Sequence, residues 1–119
     1  MRRLAILLAT AVAGLVLAAS ATSMATPKLK GTVGPGFTIS LKKGSAKVKK
    51  LKAGKYTFVI SDKSSIHNFH LTGPGVNKKT SVGFTGKKTW TVTLKKGTYK
   101  FVCDPHKAQA SMRGSFKVT

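Results

Sequence analysis

Apolar and polar residues alternate in short runs from Lys28 to the end of the chain. Glycine, proline and lysine–glycine pairs separate these runs, and such residues favour turns. The pattern predicts short β-strands and no long helix. The predicted strands cover residues 28–33, 37–41, 48–51, 56–60, 66–71, 88–94, 99–103 and 116–118, with a further strand at Val82 and Phe84.

The alternation also assigns residues to faces, because successive side chains of a strand point to opposite sides of its sheet. Trp90, Val92 and Leu94 share one face of their strand. Farther along, residues 99, 101 and 103 share another, so the thiol of Cys103 is predicted to point into the core. About seven or eight strands with apolar inner faces predict an all-β sandwich, with a barrel as the alternative.

The first residues form a separate segment. After Met1 and two arginines, the chain is apolar from Leu4 to Ala19, and small residues follow. This arrangement is typical of a secretory signal peptide, here predicted to span residues 1–25 as a helix and to be removed. An uncleaved anchor is the alternative, but the apolar run is interrupted by Thr10 and Gly14 and is shorter than the roughly 20 residues of a membrane span. We therefore expect an exported single domain, residues 26–119, located in the periplasm, outside the cell or at the cell envelope.

The chain has 22 lysine and arginine residues and only two acidic residues, a net charge of +20. Removal of the predicted signal peptide would leave +18, carried almost wholly by lysine. Such a charge attracts anionic partners, with an effect on association rate that salt weakens. The preference for lysine over arginine and the small number of aromatic residues argue against nucleic acid as the partner.

Three residues that can bind metals lie in one short segment: Cys103, His106 and Met112. A single cysteine cannot form an internal disulfide, so an exported chain would use it as a ligand, a reactive group or an intermolecular partner. Thiolate and imidazole ligands with a weak thioether ligand are typical of a blue-copper site, which needs one more histidine.

That second histidine is either His67 or His70. On the predicted strand 66–71, His67 shares a face with Phe69 and Leu71, which suggests that it points inward. His70 is expected to be exposed. The alternation therefore favours His67 as the ligand.

The segment Ile66-His67-Asn68-Phe69, followed by Tyr99-Lys100-Phe101-Val102-Cys103-Asp104-Pro105-His106 and then Met112, resembles the small cupredoxins of the plastocyanin and pseudoazurin group. The resemblance covers most of residues 26–119. It implies a Greek-key β-sandwich that binds one copper ion through His67, Cys103, His106 and Met112. It further implies electron transfer and no enzymatic activity.

The chain departs from this group in two ways. Five residues separate His106 from Met112, more than is usual in plastocyanin-like loops, and Gln109 is therefore the alternative axial ligand. In addition, Val102 takes the place of an aromatic residue beside the cysteine, and the surface is rich in lysine. These differences argue against a photosynthetic partner of the plastocyanin type.

Three further residues are expected to support the ligands. Asn68 could connect its own segment to the Cys103 loop through the side chain or backbone of Asp104, since ligands are commonly held by hydrogen bonds from their neighbours. Asp104 could equally be a turn residue before Pro105. Pro105 would stiffen the loop and limit its rearrangement during a change of copper oxidation state.

These features predict a monomeric electron carrier with no small-molecule substrate. Its partner is expected to be a redox protein with an anionic surface or a membrane-bound electron-transfer complex. The alternative is a copper carrier or buffer without a redox role. A Cys–His nucleophile is disfavoured because no oxyanion-hole motif accompanies it, zinc because it rarely binds thioether, and an incidental buried cysteine because the potential ligands converge on two segments.

Overall fold

The computed structural model of the protein describes Gly14 and residues 25–119. The predicted signal helix therefore falls almost entirely outside the described residues. These residues contain no helix that is long and apolar enough to cross a membrane. They form ten strands: β1 (Lys28–Val33), β2 (Ile39–Lys43), β3 (Ala46–Lys47), β4 (Lys50–Leu51), β5 (Gly54–Asp62), β6 (His70–Gly73), β7 (Val76–Lys79), β8 (Gly86–Leu94), β9 (Gly97–Val102) and β10 (Arg113–Val118). Two single turns of 3-10 helix, Asp104–His106 and Ala110–Met112, lie between β9 and β10.

The strands form two five-stranded sheets that pack face to face. Sheet A has the strand order β3-β2-β1-β5-β8, and sheet B has the order β4-β10-β9-β6-β7. Each sheet contains one parallel pair, β1 with β5 and β10 with β4, and the other pairs are antiparallel. This is the predicted all-β sandwich, with ten strands where eight or so were expected.

The core lies between the sheets and is built from the apolar sides of the alternating strands. Among the described residues, those of the core run from Leu29 to Val118. On sheet B, Tyr99 and Phe116 stack with ring centroids 5.3 Å apart. Such pairs stabilise a fold by about 0.5–1.5 kcal/mol beyond the area they bury. The predicted inward face of β9 is confirmed, since Tyr99, Phe101 and Cys103 are all buried.

The connections between strands differ at the two ends of the sandwich. At one end, the loops 34–38, 63–69, 80–85 and 103–112 are five to ten residues long, and we call this the long-loop end. At the opposite end, the connections 44–45, 52–53, 74–75 and 95–96 have two residues each, and we call this the turn end. All the proposed metal ligands belong to the long-loop end.

Several predicted strands are wrong in detail. The segment 66–71 is a loop as far as Phe69, because the carboxylate of Asp62 and the hydroxyl of Ser64 accept backbone N–H groups and hold this segment in turns. Val82 and Phe84 are also not in a strand: the first is in a turn and the second follows it.

Other boundaries differ because edge strands are short. The strand predicted at 37–41 begins at Ile39, and the one at 48–51 is reduced to β4, with Val48 between two strands. The strands β3 and β7 were not predicted. Both lie at sheet edges and are rich in lysine, so they lack the apolar alternation that identifies a half-buried strand.

Candidate metal centre

Two long loops bring three potential metal ligands together. His67 lies in the loop between β5 and β6, whereas Cys103 and His106 begin the loop after β9. The Nδ1 atoms of the two histidines are 3.1 Å apart. The Sγ of Cys103 lies 3.6 Å from Nδ1 of His67 and 3.5 Å from Nδ1 of His106. The three atoms form a nearly equilateral triangle around a common centre.

The size of this triangle fits a metal ion with three ligands in a plane. Bonds of about 2.0 Å to nitrogen and about 2.3 Å to sulfur, at trigonal angles, place the nitrogens about 3.5 Å apart and each about 3.7 Å from sulfur. The observed separations of 3.1, 3.5 and 3.6 Å are slightly shorter. Two nitrogens and one sulfur in this arrangement are the donor set of a type 1 copper site.

The cluster is enclosed except at one ligand. His67 and Cys103 are fully buried, and His106 is partly exposed. The ring of Phe37 lies edge-on to both imidazoles, with centroids 5.2 Å from His67 and 4.9 Å from His106. Gly34 approaches His67 so closely that a Cβ there would lie 3.2 Å from its Cδ2, and its φ of +73° also favours glycine.

The loop after β9 returns to its starting point through turns of three residues. His106 N–H donates to Cys103 C=O, Gln109 N–H to His106 C=O, and Met112 N–H to Gln109 C=O, at 2.9–3.0 Å. The N–H of Cys103 then donates to the C=O of Met112 at 2.9 Å, which closes the loop. The five residues between His106 and Met112 are therefore taken up by turns, and the two proposed sulfur ligands have adjacent backbones.

Met112 and Gln109 differ in burial. The side chain of Met112 is fully buried, in the second 3-10 turn, whereas Gln109 is exposed. The thioether of Met112 therefore lies in the interior of the domain, whereas the amide of Gln109 faces water.

The sequence of residues 38–119 matches the family of copper-binding proteins that contains plastocyanin and azurin. The chain belongs to this family. It is therefore a small cupredoxin, a class of electron carriers and not of enzymes, and its His67, Cys103 and His106 cluster indicates one type 1 copper site. Among curated proteins, none matches the chain at a significant level.

Solved structures of rusticyanin have a similar fold. A reduced rusticyanin determined by NMR has a TM-score of 0.54 and 23% identity, covering 79% of this chain and 77% of that chain. A methionine-to-glutamine variant of rusticyanin has a TM-score of 0.53 and 24% identity, covering 77% and 76%. Rusticyanin from Thiobacillus ferrooxidans has a TM-score of 0.50 and 24% identity, also covering 77% and 76%. At these identities the similarity establishes the shared fold.

Asn68 connects the two loops of this cupredoxin that carry the cluster. Its side chain is buried and donates to the carboxylate of Asp104 at 2.7 Å and to the C=O of Thr80 at 3.2 Å. Its Oδ1 accepts the N–H of Asp104 at 2.7 Å. Asn68 thus reaches both the side chain and the backbone of Asp104, the two contacts considered from the sequence. Pro105 is exposed and lies in the first 3-10 turn.

The network continues from Asp104 to His70. The Nδ1 of His70 lies 2.8 Å from Asp104 Oδ1, and its Nε2 lies 2.7 Å from Asn77 Oδ1. Burial alone would raise the pKa of Asp104, but hydrogen bonds from Asn68 and His70 together with nearby positive charge outweigh burial and lower the pKa. His70 is half-buried, not exposed as predicted, because it packs beside this carboxylate.

A second acid lies near the cluster. Asp62, at the end of β5, is buried, and its Oδ1 accepts the N–H of Ser64 at 3.0 Å. Burial raises the pKa of Asp62, although the Ser64 hydrogen bond and the charge of His67 act in the opposite direction. Among the described residues, its Oδ2 and the Nε2 of His67 are buried without a hydrogen-bond partner. Coordination of a metal ion by Nδ1 would leave the imidazole proton of His67 on Nε2.

Three residues around the cluster have roles that were not predicted from the sequence: Phe37, Asn77, and His70, which was considered only as the other possible ligand. Phe37 was placed at the start of a strand, although the Gly34-Pro35-Gly36 sequence before it signals a turn that could carry an exposed aromatic side chain. No local pattern indicates that His70 pairs with Asp104, because 34 residues separate them.

Proposed function

We propose that the chain is an exported type 1 copper protein that binds one copper ion and shuttles single electrons between redox partners. In this proposal His67, Cys103 and His106 are the trigonal ligands and Met112 is the axial ligand. The observation that carries it is the triangle of two Nδ1 atoms and one Sγ with sides of 3.1, 3.5 and 3.6 Å. Copper would supply the one-electron couple between its cuprous and cupric states.

Each proposed ligand has an environment suited to its role. Cys103 is fully buried, so the thiolate is protected from solvent oxidants and from exchange with other thiols. Both imidazoles present Nδ1 to the centre. To bind a metal ion, each Nδ1 must be free of its proton. Because the ligand atoms already converge, little movement of the chain is needed to hold the ion, and a small rearrangement favours fast electron transfer.

The axial role of Met112 is supported by its burial and by the closed loop. Its C=O accepts the N–H of Cys103, so the two sulfur-bearing residues are held side by side. Gln109 remains the alternative, and its exposed side chain makes it the weaker candidate.

We further propose that electrons enter and leave through His106. It is the only member of the cluster with exposed surface. The surrounding loops carry exposed Phe37, Ile66 and Val82, and apolar side chains of this kind can contact a partner without the cost of desolvating a charge. The partner would be a redox protein with an anionic surface or a membrane-bound electron-transfer complex, attracted by the net positive charge of a monomeric domain.

Export is proposed from the first residues of the sequence. Cleavage after Ala25 would remove residues 1–25 and leave the domain 26–119, in the periplasm, outside the cell or at the cell envelope. The position of β1 supports this boundary, since Leu29 is the first core residue in the described part of the chain.

Titration of the purified protein with Cu(II) tests the copper proposal. We expect an intense blue charge-transfer band that a reductant bleaches reversibly and that is absent from Cys103→Ala. Two histidines three residues apart provide a matched pair of variants: His67→Ala should lose the band, and His70→Ala should retain it. A colourless Cu(II) complex of the unaltered protein would contradict electron transfer and favour copper carriage or buffering.

A further inference from the structure

The charges of the domain are divided unequally between its two ends. The four loops of the long-loop end carry Lys63, Lys107 and Asp104, and Asp62 lies at the end of β5 beside them. Both acidic residues of the chain are therefore at this end. The turn end contains no acidic residue. Counted by halves of the sandwich, the half nearest the turn end has a net charge of +12 and the half nearest the long-loop end has +6. The first carries twelve lysines: Lys28, Lys30, Lys42, Lys43, Lys47, Lys49, Lys50, Lys52, Lys55, Lys95, Lys96 and Lys117. The second carries both aspartates and eight basic residues: Lys63, Lys78, Lys79, Lys87, Lys88, Lys100, Lys107 and Arg113.

Several of these lysines are direct neighbours across strands. On the outer face of sheet A, Lys30 of β1 pairs with Lys42 of β2, which pairs with Lys47 of β3. Like charges directly opposite each other on a sheet destabilise it. No carboxylate lies on these strands to offset the repulsion. A row of this kind costs stability unless an external anion compensates it.

The exposed apolar side chains have the opposite distribution. Among the described residues, the large hydrophobic side chains that are exposed are Phe37, Ile66 and Val82, all in loops of the long-loop end. Protein partners are usually held by aromatic and apolar anchors in the centre of the contact. The turn end has exposed lysines but none of these apolar anchors. It is therefore suited to bind a partner surface through charge alone.

The chain enters the domain at this same end. The strand β1 starts at the turn end, and the apolar segment from Leu4 to Ala19 precedes it by only eight residues. A leader inserted in a bilayer would therefore hold the turn end next to the lipid headgroups until it is cleaved. Lysines close to an anionic bilayer bind it without needing a shaped site.

From these observations we propose that the turn end is a docking surface for anionic phospholipid bilayers. Bound in this way, the domain would lie with its long-loop end directed away from the membrane. This inference goes beyond the proposed redox function and does not depend on it, because no copper ligand takes part in the contact.

Binding to vesicles tests the proposal on residues 25–119, after circular dichroism has shown that they fold into the β-sandwich on their own. Vesicles of phosphatidylglycerol mixed with phosphatidylcholine are compared with vesicles of phosphatidylcholine alone, in sedimentation assays with the metal-free protein. We expect binding to the anionic vesicles only. This binding should weaken as the salt concentration rises above about 0.1 M, where the Debye length is about 10 Å.

Two variants with equal net charge distinguish an oriented contact from a general attraction. The first replaces four exposed lysines of the turn end, in Lys52→Gln, Lys55→Gln, Lys95→Gln and Lys96→Gln. The second replaces four exposed lysines elsewhere, in Lys63→Gln, Lys78→Gln, Lys87→Gln and Lys107→Gln. Since each lysine near the bilayer strengthens binding roughly fivefold, we expect the first variant to bind at least about twentyfold more weakly, and the second to change by less than about threefold.

Three results would overturn the proposal. Equal losses in the two variants would show a general attraction without orientation, and absence of binding to anionic vesicles would exclude a bilayer. Binding to soluble polyglutamate but not to vesicles, with the larger loss in the first variant, would instead assign the turn end to an acidic protein. Circular dichroism of both variants controls for loss of the fold.

Discussion

At the scale of single residues, the proposed site depends on where Met112 and Gln109 place their side chains. The first is buried and the second is exposed, although both lie in the same loop after β9. An axial ligand adjusts a type 1 site without building it, because the three ligands in the plane make the strong bonds.

We expect Met112→Leu to keep the blue band and to raise the reduction potential. Loss of a thioether donor weakens the binding of the cupric ion more than that of the cuprous ion. Voltammetry of the copper-loaded protein measures this change. The matched variant Gln109→Ala should leave the potential unchanged, and a shift in that variant with none in Met112→Leu would make Gln109 the axial ligand.

At the scale of elements, the site consists of two loops connected by one buried side chain. Asn68 belongs to the loop before β6, and both of its polar atoms bond to Asp104 in the loop after β9. It also satisfies the C=O of Thr80, which follows β7. One amide therefore holds together three of the four loops at the long-loop end.

We expect Asn68→Ala to lower the free energy of unfolding of the metal-free protein by about 2–4 kcal/mol, because it removes three hydrogen bonds, one of them to the C=O of buried Thr80 and two to the half-buried Asp104. Urea unfolding followed by tryptophan fluorescence measures the change. The control Asn77→Ala removes one hydrogen bond at an exposed position, to His70, and should cost less than about 1 kcal/mol. Similar losses in the two variants would contradict the connecting role of Asn68.

At the scale of the whole molecule, the dominant property is positive charge. The described residues contain twenty lysines and arginines and two aspartates. Those aspartates lie beside the candidate metal centre, so no surface of the turn end is neutralised by its own side chains. A charge of this size affects the approach of any charged redox partner over about a Debye length.

Small oxidants of opposite charge test this influence on the copper-loaded, reduced protein. The rate of electron transfer to hexacyanoferrate(III), an anion, should fall as salt is raised. The rate with a cobalt(III) phenanthroline cation should rise under the same conditions, because salt weakens repulsion as well as attraction. Stopped-flow absorbance at the blue band follows both reactions. Rates that do not respond to salt in either case would argue against electrostatic docking.

Local patterns were sufficient to predict the class of fold and the candidate ligands. Alternation along β8 and β9 placed Trp90, Val92, Tyr99 and Phe101 toward the core, where they are buried or partly buried. Alternation also favoured His67 over His70 as the ligand, although the predicted strand that contained His67 is a loop in the structure. His67 is buried nevertheless, because the loop places three consecutive side chains, His67, Asn68 and Phe69, in the interior.

The sequence by itself determined that the chain forms a β-sandwich and which residue types could bind copper, because alternation and the Cys-x-x-His spacing act over a few residues. Only the tertiary structure decided how the loops meet. The approach of His67 to Cys103, the link from Asn68 through Asp104 to His70, and the closure of the loop at Met112 join residues brought together by folding. The separation of lysine from acid between the two ends has the same origin, since it depends on which turns the two sheets place side by side.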